Sequence, residues 1–205
     1  MSITTSTDPL APPSSAVGDA PGAGSATAAT GLAGTAWRVD VAHTTVEFRV
    51  RHAGVAKVRG VFKELDGVLA FDADGTARAS GSVAAASLDT RIGARDEHLR
   101  SADFFDAEHH PRLTFESTSI ELDGEELRVR GDLTIRGVTK PIELTGELGG
   151  TGVDDEGNER VGLELRGSLD RREYGLTWNA VVTGGGLLVG NRVDIQLDVS
   201  AVRAR

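Results

Sequence analysis

The strongest constraint on the fold is a period-two alternation of apolar and polar residues that returns along most of the chain. In residues 127–136, for example, the residues of one face are Leu127, Val129, Gly131, Leu133 and Ile135, and the residues between them are charged or polar. Successive side chains of a β-strand point to opposite faces, so each such segment is typical of a strand with one buried face. The strong segments are 46–51, 127–136, 142–148, 161–169 and 193–201, and weaker ones cover 55–63, 66–72, 77–88 and 112–122.

These strands predict an all-β fold. A parallel sheet would need helical crossovers, and only residues 91–106 break the alternation, with a short helix expected near 93–102. The alternatives are a sandwich and a barrel. Several segments are long and keep their apolar residues on one face, so a single sheet would curl over and close to bury it. We therefore expect a closed or nearly closed antiparallel barrel of about eight strands, with room inside for side chains or one small ligand.

The composition changes at residue 34. Residues 1–34 contain no Lys, Arg or aromatic residue but four of the six prolines. This segment is predicted to be a disordered N-terminal extension, and residues 35–205 the folded domain. It has neither the basic start nor the continuous apolar stretch of a secretory signal. No segment of the chain approaches the ~18 apolar residues of a membrane span. These features predict a cytoplasmic protein.

Composition also excludes several kinds of chemistry. The chain has no cysteine, which rules out disulfides, thiolate metal sites and a cysteine nucleophile. Its formal charge of −9 argues against a nucleic-acid binder. No phosphate-binding loop or G-x-S-x-G motif is present, and we predict no cofactor and no metal. The sequence would still allow a metal site that combines His43, His52 and His98 from different strands, but we disfavour this arrangement.

Two features of the sequence, the mid-strand glycines and a polar cluster in the expected helix, each allow two interpretations. Gly131, Gly146 and Gly167 fall on the apolar face in mid-strand. They either allow the strands to coil at barrel corners or leave interior volume for a ligand. The polar cluster Arg95–His98 is either a solvated helix start or a polar rim that meets a ligand's head group.

Four ordered motifs then identify a family resemblance. They are Asp40-x-x-His43-Thr44 with Val46-x-Phe48, Arg95-Asp96-x-His98-Leu99 followed by Asp103-Phe104-Phe105-Asp106, Gly131-Asp-Leu-Thr134 through Pro141, and Arg171-x-x-Tyr174-Gly175-Leu176. From about Trp37 to Val202 the chain resembles the YceI-like family, also called polyisoprenoid-binding-like. The resemblance implies a lipocalin-like barrel with an elongated apolar cavity that binds polyisoprenoids or other long-chain amphiphiles. Many members are periplasmic with a signal peptide, and residues 1–34 differ from that pattern.

The predicted function is therefore non-enzymatic binding or carriage of a long-chain lipid or isoprenoid inside the barrel. The resemblance and the residue types together suggest polar contacts at the mouth and aromatic contacts along the wall. The candidate ligand-binding residues are Phe48, His52, Phe62, Arg95, His98, Phe104, Phe105 and Phe115, with His43 and Asp96 as further rim residues.

Two other functions compete with this prediction. One is an enzyme that acts on a lipid-like substrate, with His98 and Asp96 or Glu97 as an acid–base pair. The other is a protein-interaction module that recruits a partner through the N-terminal extension. Exposed strand edges would also allow a homodimer, which no feature of the sequence requires.

Overall fold

The structure, a computed structural model, describes residues 32–181 and 185–204. Most of the predicted disordered extension, 1–34, lies outside these residues. Its last three residues form a turn, in which the backbone N–H of Thr35 donates to the carbonyl of Leu32 over 3.1 Å. Leu32 is buried in one cluster with Trp37. The packed body therefore reaches at least three residues beyond the boundary predicted at Thr35.

The described residues contain strands almost throughout, with a single α-helix, α1 (Gly93–Arg100), close to the predicted position. Within these residues, no helix is both long and apolar enough to cross a membrane. The strands are β1 (Thr35–Val39), β2 (Thr45–His52), β3 (Ala56–Phe62), β4 (Leu65–Phe71), β5 (Ala77–Ala84), β6 (Leu88–Asp89), β7 (Arg112–Asp123), β8 (Glu126–Ile135), β9 (Val138–Val153), β10 (Glu159–Asp170) and β11 (Val189–Arg203).

Three pairs of these strands behave as single bent strands. β1 and β2 lie in line along β11, with Val39 opposite Ala201 and Thr45 opposite Asp198. β3 and β4 follow β2 and β1 in the same way, and β5 and β6 follow β4 and β3. Together with β7 to β11 this makes eight long antiparallel strands in sequence order. The pairing of β1 with β11 closes them into a barrel. The predicted fold, a closed antiparallel barrel of about eight strands, is confirmed.

The break between β1 and β2 is held by side chains of the first motif. The Thr44 hydroxyl donates to the carbonyl of Ser200 and accepts from its N–H, both over 3.1 Å, so it replaces the missing ladder bonds. Asp40 accepts from the N–H of Ala42 and from Arg160 Nη1 on β10. His43 Nδ1 lies 2.7 Å from the Asp40 carboxylate. This motif therefore bends the wall of the barrel without opening it.

The mid-strand glycines mark close approach between strands. A Cβ atom at Gly131 or Gly146 would overlap the backbone of the neighbouring strand, and one at Gly167 would overlap the Leu144 side chain. None of the three lines the central cavity. This favours the first interpretation, in which the glycines permit close packing of a coiled sheet. At Gly131 the space is taken by the ring of Phe115, and at Gly60 by the ring of Phe48.

Candidate ligand-binding cavity

The barrel contains a cavity of about 580 Å³. This volume lies within the ~300–1,000 Å³ of typical small-molecule sites. Leucine, isoleucine, valine and phenylalanine side chains make up most of its lining. The lining runs from Phe71 and Leu148, in the buried cluster at one end of the barrel, to Tyr174 and Leu176, in the cluster at the other. The cavity therefore extends along the barrel between two packed ends.

All five phenylalanines predicted as ligand-binding residues line this cavity: Phe48, Phe62, Phe104, Phe105 and Phe115. Their contact with a ligand stays a prediction. Phe48 and Phe62 lie on the paired strands β2 and β3, with ring centroids 5.7 Å apart. Phe48 is only half-buried although it points inward, because the cavity lies next to it. The aromatic side chains thus form part of the apolar wall that a lipid tail would contact.

One end of the cavity is closed by an aromatic cap, which consists of Phe104, Phe105 and Trp178. The ring centroid of Phe105 lies 5.8 Å from that of Phe62 and 6.5 Å from that of Phe48. Phe104 is buried against Trp178, with ring centroids 5.3 Å apart. The cap is carried by the segment after α1 and by the segment after β10, and not by the barrel strands themselves.

Arg95 and Asp96 do not line the cavity but hold α1 to the barrel. Asp96 is 6% exposed and accepts hydrogen bonds from the N–H of Thr90, over 2.9 Å, and from its hydroxyl. Arg95 donates to the hydroxyl and the carbonyl of Thr90, each over 2.7 Å. We call this arrangement of Thr90, Arg95 and Asp96 the Thr90 latch. It fixes the start of α1 and, through α1, the cap.

The three histidines proposed for binding also lie outside the cavity lining. His98 packs on Trp178, with ring centroids 4.6 Å apart, and its Nε2 lies 2.9 Å from the Asp103 carboxylate. The alternative acid–base pair of His98 and Asp96 is not formed, since Asp96 is bound to Thr90. His43 contacts Asp40, and His52 ends β2 opposite Ala56. Among the described residues, no group of three or more His, Asp or Glu side chains is arranged to hold a metal ion.

The lining also contains polar residues that were not singled out as binding residues, and two of them, Arg171 and Tyr174, are buried at the capped end. Arg171 is 4% exposed and donates to carbonyls of Gly190, over 2.9 Å, and Trp178, over 2.9 Å. It forms no ion pair within the described part of the chain. Burial lowers the pKa of Arg171. Backbone carbonyls therefore hold the guanidinium, with the carboxylate of Asp170 nearby, and its positive charge lies beside the cavity.

Tyr174 is 1% exposed, and burial raises the pKa of its phenol to about 12. Tyr174 is also one of the residues that line the capped end of the cavity. Both residues belong to the fourth sequence motif. Their spacing gave no sign of burial, because arginine and tyrosine are usually found at least partly exposed.

Comparisons with known proteins agree with this architecture. The family model for the YceI-like domain matches residues 37–201. Protein YceI of Escherichia coli O157:H7 is 40% identical over 136 residues, which cover 65% of this chain and 71% of that protein. A UPF0312 protein of Pectobacterium atrosepticum is 37% identical over 137 residues, which cover 66% of this chain and 71% of that protein.

Solved structures give the same result. The YceI protein of Campylobacter jejuni superposes with a TM-score of 0.65 at 29% identity and covers 76% of this chain and 90% of its own. Burkholderia cenocepacia BcnA has a TM-score of 0.67 at 21% identity, with 79% and 98% covered. A polyisoprenoid binding domain from Saccharophagus degradans has a TM-score of 0.65 at 14% identity, with 83% and 99% covered. At these identities the last two share the fold alone.

Proposed function

Since the chain belongs to the YceI-like family, we propose that it binds and carries a long-chain amphiphile, such as a polyisoprenoid, in the barrel cavity. The observation that carries the proposal is the apolar cavity of about 580 Å³ between the two packed ends. The Saccharophagus degradans neighbour, described as a polyisoprenoid binding domain, supports the same ligand class. The proposed function is binding alone, without catalysis of a reaction.

The cavity wall explains why such a ligand would bind. Each methylene transferred from water to the cavity contributes ~0.8 kcal/mol, so a modest lipid tail supplies a large gross binding free energy. Loss of rigid-body freedom and of chain rotamers offsets much of it. An aliphatic wall separates ligands that differ by one methylene by only ~1–3 kcal/mol. We therefore expect selection by the length and girth of the tail, with several related lipids bound.

The head group lies beside Tyr174 and Arg171 in this proposal. Tyr174 and Arg171 both line the cavity, and we expect the Tyr174 hydroxyl to donate a hydrogen bond to the head group while the charge of Arg171 favours an acceptor or an anion there. This assignment replaces the polar rim expected from Arg95 and His98, whose side chains hold the cap. A ligand with one hydrogen-bond-accepting head and one apolar tail fits both features.

The test is to extract the purified full chain with organic solvent and to weigh the released molecules by mass spectrometry. Leu163 lines the cavity and Glu164, the next residue on β10, is exposed. Leu163→Trp should fill part of the cavity and lower the amount of lipid per protein, while Glu164→Trp should leave it unchanged. Equal lipid content in both variants, or no lipid in the wild type after incubation with candidate lipids, would contradict the proposal.

Two finer predictions remain open to test. The cytoplasmic location rests on the composition of residues 1–34 and is checked by cell fractionation. A homodimer through strand edges is checked by light scattering of the purified chain. The interaction-module hypothesis concerns the N-terminal extension, most of which lies outside the described residues.

A further inference from the structure

The hairpin of β2 and β3 has an unusual charge for this protein. Residues 48–63 contain five Lys or Arg residues and no Asp or Glu, in a chain with 31 acidic residues and a net charge of −9. The hairpin turns at Ala53–Val55. Its distal half, residues 51–59, is mostly exposed. A strongly basic element therefore projects from an acidic barrel.

The register places like charges directly opposite each other. Arg51 lies opposite Lys57, and Arg49 opposite Arg59. Such pairs destabilise a sheet, whereas opposite charges would stabilise it. Arg49 is neutralised by Glu47. Arg51, Lys57 and Arg59 are exposed and form no ion pair with any residue that the structure describes. The fold does not need this cluster, which we call the hairpin cations: Arg51, Lys57 and Arg59.

The tip of the hairpin is apolar and lies near two further exposed aliphatic residues. Val55 is 86% exposed, and Val181 and Leu187 are 79% and 49% exposed. The N–H of Ala53 donates to the carbonyl of Leu188 over 2.7 Å, so the hairpin turn lies next to the residue that follows Leu187. Val181 and Leu187 pair with each other as an isolated bridge. Exposed aliphatic residues thus lie on adjoining segments at the same end of the barrel, close to the hairpin cations.

We propose that this surface docks the barrel onto an anionic lipid bilayer. Exposed aliphatic side chains on turns can enter the boundary between head groups and acyl chains, while adjacent Lys and Arg bind the anionic head groups. Nucleic acid fits less well, because single-stranded binding surfaces rely on aromatic platforms and this tip carries valine and leucine. An acidic protein would not require the exposed aliphatic residues.

The docking surface lies at the capped end of the cavity. Phe48 and Phe62, which contact Phe105 of the cap, stand on the same two strands as the hairpin cations. Val50 and Val189, near the hairpin, line the cavity. This inference extends the proposed function, since a docked barrel would present the end of its cavity to a source of lipid. It does not depend on which ligand is bound.

The experiment is flotation of the purified full chain with two kinds of vesicle: phosphatidylcholine alone, and phosphatidylcholine mixed with phosphatidylglycerol. We expect binding to the mixed vesicles only, weakened by added salt. Each Lys or Arg near an anionic surface contributes about 5-fold in affinity, so Lys57→Gln with Arg59→Gln should weaken binding about 30-fold. Val55→Asp should weaken it further, and it changes an exposed side chain that supports no packing.

The matched control removes two positive charges elsewhere. Arg128 on β8 and Arg166 on β10 are exposed on the outer wall, so Arg128→Gln with Arg166→Gln gives the same net charge. This control should bind the mixed vesicles within about 2-fold of the wild type. Equal loss in both double variants, equal binding to both vesicle types, or binding of an oligonucleotide but not of vesicles would overturn the proposal. Lipid extraction is measured separately, so failure here leaves the proposed function standing.

Discussion

The two ends of the barrel are closed in different ways. At one end, the closing side chains are mostly carried by the barrel strands, among them Trp37 on β1 and Phe71 on β4, with Leu32 packed beside them. At the other, the aromatic cap comes from segments outside the strands and is held by the Thr90 latch and by Arg171. The end that is closed by side chains of the strands cannot open unless strands of the barrel separate. A cap held by a few polar contacts can detach locally while the barrel stays folded.

The largest effect is expected from Trp37→Ala, at the strand-closed end. Trp37 is 2% exposed and its indole N–H donates to the Thr35 hydroxyl over 2.7 Å. Its loss leaves a cavity in a cluster that belongs to the barrel itself, so the free energy of unfolding should fall by about 3–5 kcal/mol. Denaturant unfolding measures this change. A loss below about 1 kcal/mol would show that this end is no more firmly closed than the other.

Asp96→Ala, at the capped end, should have a smaller and local effect. It leaves the Thr90 N–H without its buried acceptor, which costs about 1–3 kcal/mol. Hydrogen exchange should speed up in α1 and in residues 101–107, while exchange in β7 to β10 stays close to that of the wild type. Glu97→Ala, at the exposed next position of α1, is the control and should change neither region. Equal loss of protection in the barrel strands would show that the cap and the barrel unfold together.

The sequence predicted the barrel strands better than the contacts that hold the bend and the cap. Alternation is local, so it predicted the strands and the inward position of Phe48, whereas Phe115 was expected on the cavity wall from the family resemblance and its residue type. The break at residues 40–44 depends on a hydroxyl of Thr44 that bonds to Ser200, and no local pattern reports a partner so distant in sequence. Arg95 and His98 were expected at a binding rim because of the family resemblance and their polar side chains. Their actual partners, Thr90 and Asp103, are polar side chains within the cap region.

Tyr174 allows the polarity of the capped end to be measured directly. It is the only tyrosine of the chain, so the absorbance of phenolate reports this residue alone. The pKa of its phenol is raised by burial to about 12 in the folded protein, against ~10 when unfolded. The folded state therefore retains this proton more strongly, and the stability linked to it is present below pH ~10 and is lost as the pH rises towards about 12.

Titration of native and denatured protein should show this separation, and Tyr174→Phe should remove the phenolate signal. Tyr174→Phe should also leave the fold intact while it lowers the affinity for the extracted lipid, since the hydroxyl is the group that we expect to contact the head. A native phenol that titrates near pH 10 would show that the hydroxyl is open to bulk water. In that case the head group would not lie beside it.

The smallest effect is expected on the outer wall beside the strand-closed end, where Arg160 bridges Asp40 and Asp154. Its guanidinium donates to Asp40 over 2.6 Å and to Asp154 over 2.7 Å. These bonds lower the pKa of Asp40 to about 2, and hydrogen bonds from Asn158 and Arg160 lower that of Asp154 further still. Both carboxylates thus add stability above pH ~4, and this stability is lost as the pH falls towards about 2.

Arg160→Gln should remove part of that pH dependence, because Asp40 loses its first partner and titrates closer to an unperturbed aspartate. The expected result is a small loss of stability at pH 7 and a smaller difference between pH 7 and pH 3 than in the wild type, both measured by thermal unfolding. Arg166→Gln, on the same strand but with only a distant partner in Glu164, is the control and should retain the wild-type difference. If both variants keep that difference, the acid sensitivity of the barrel arises from other carboxylates.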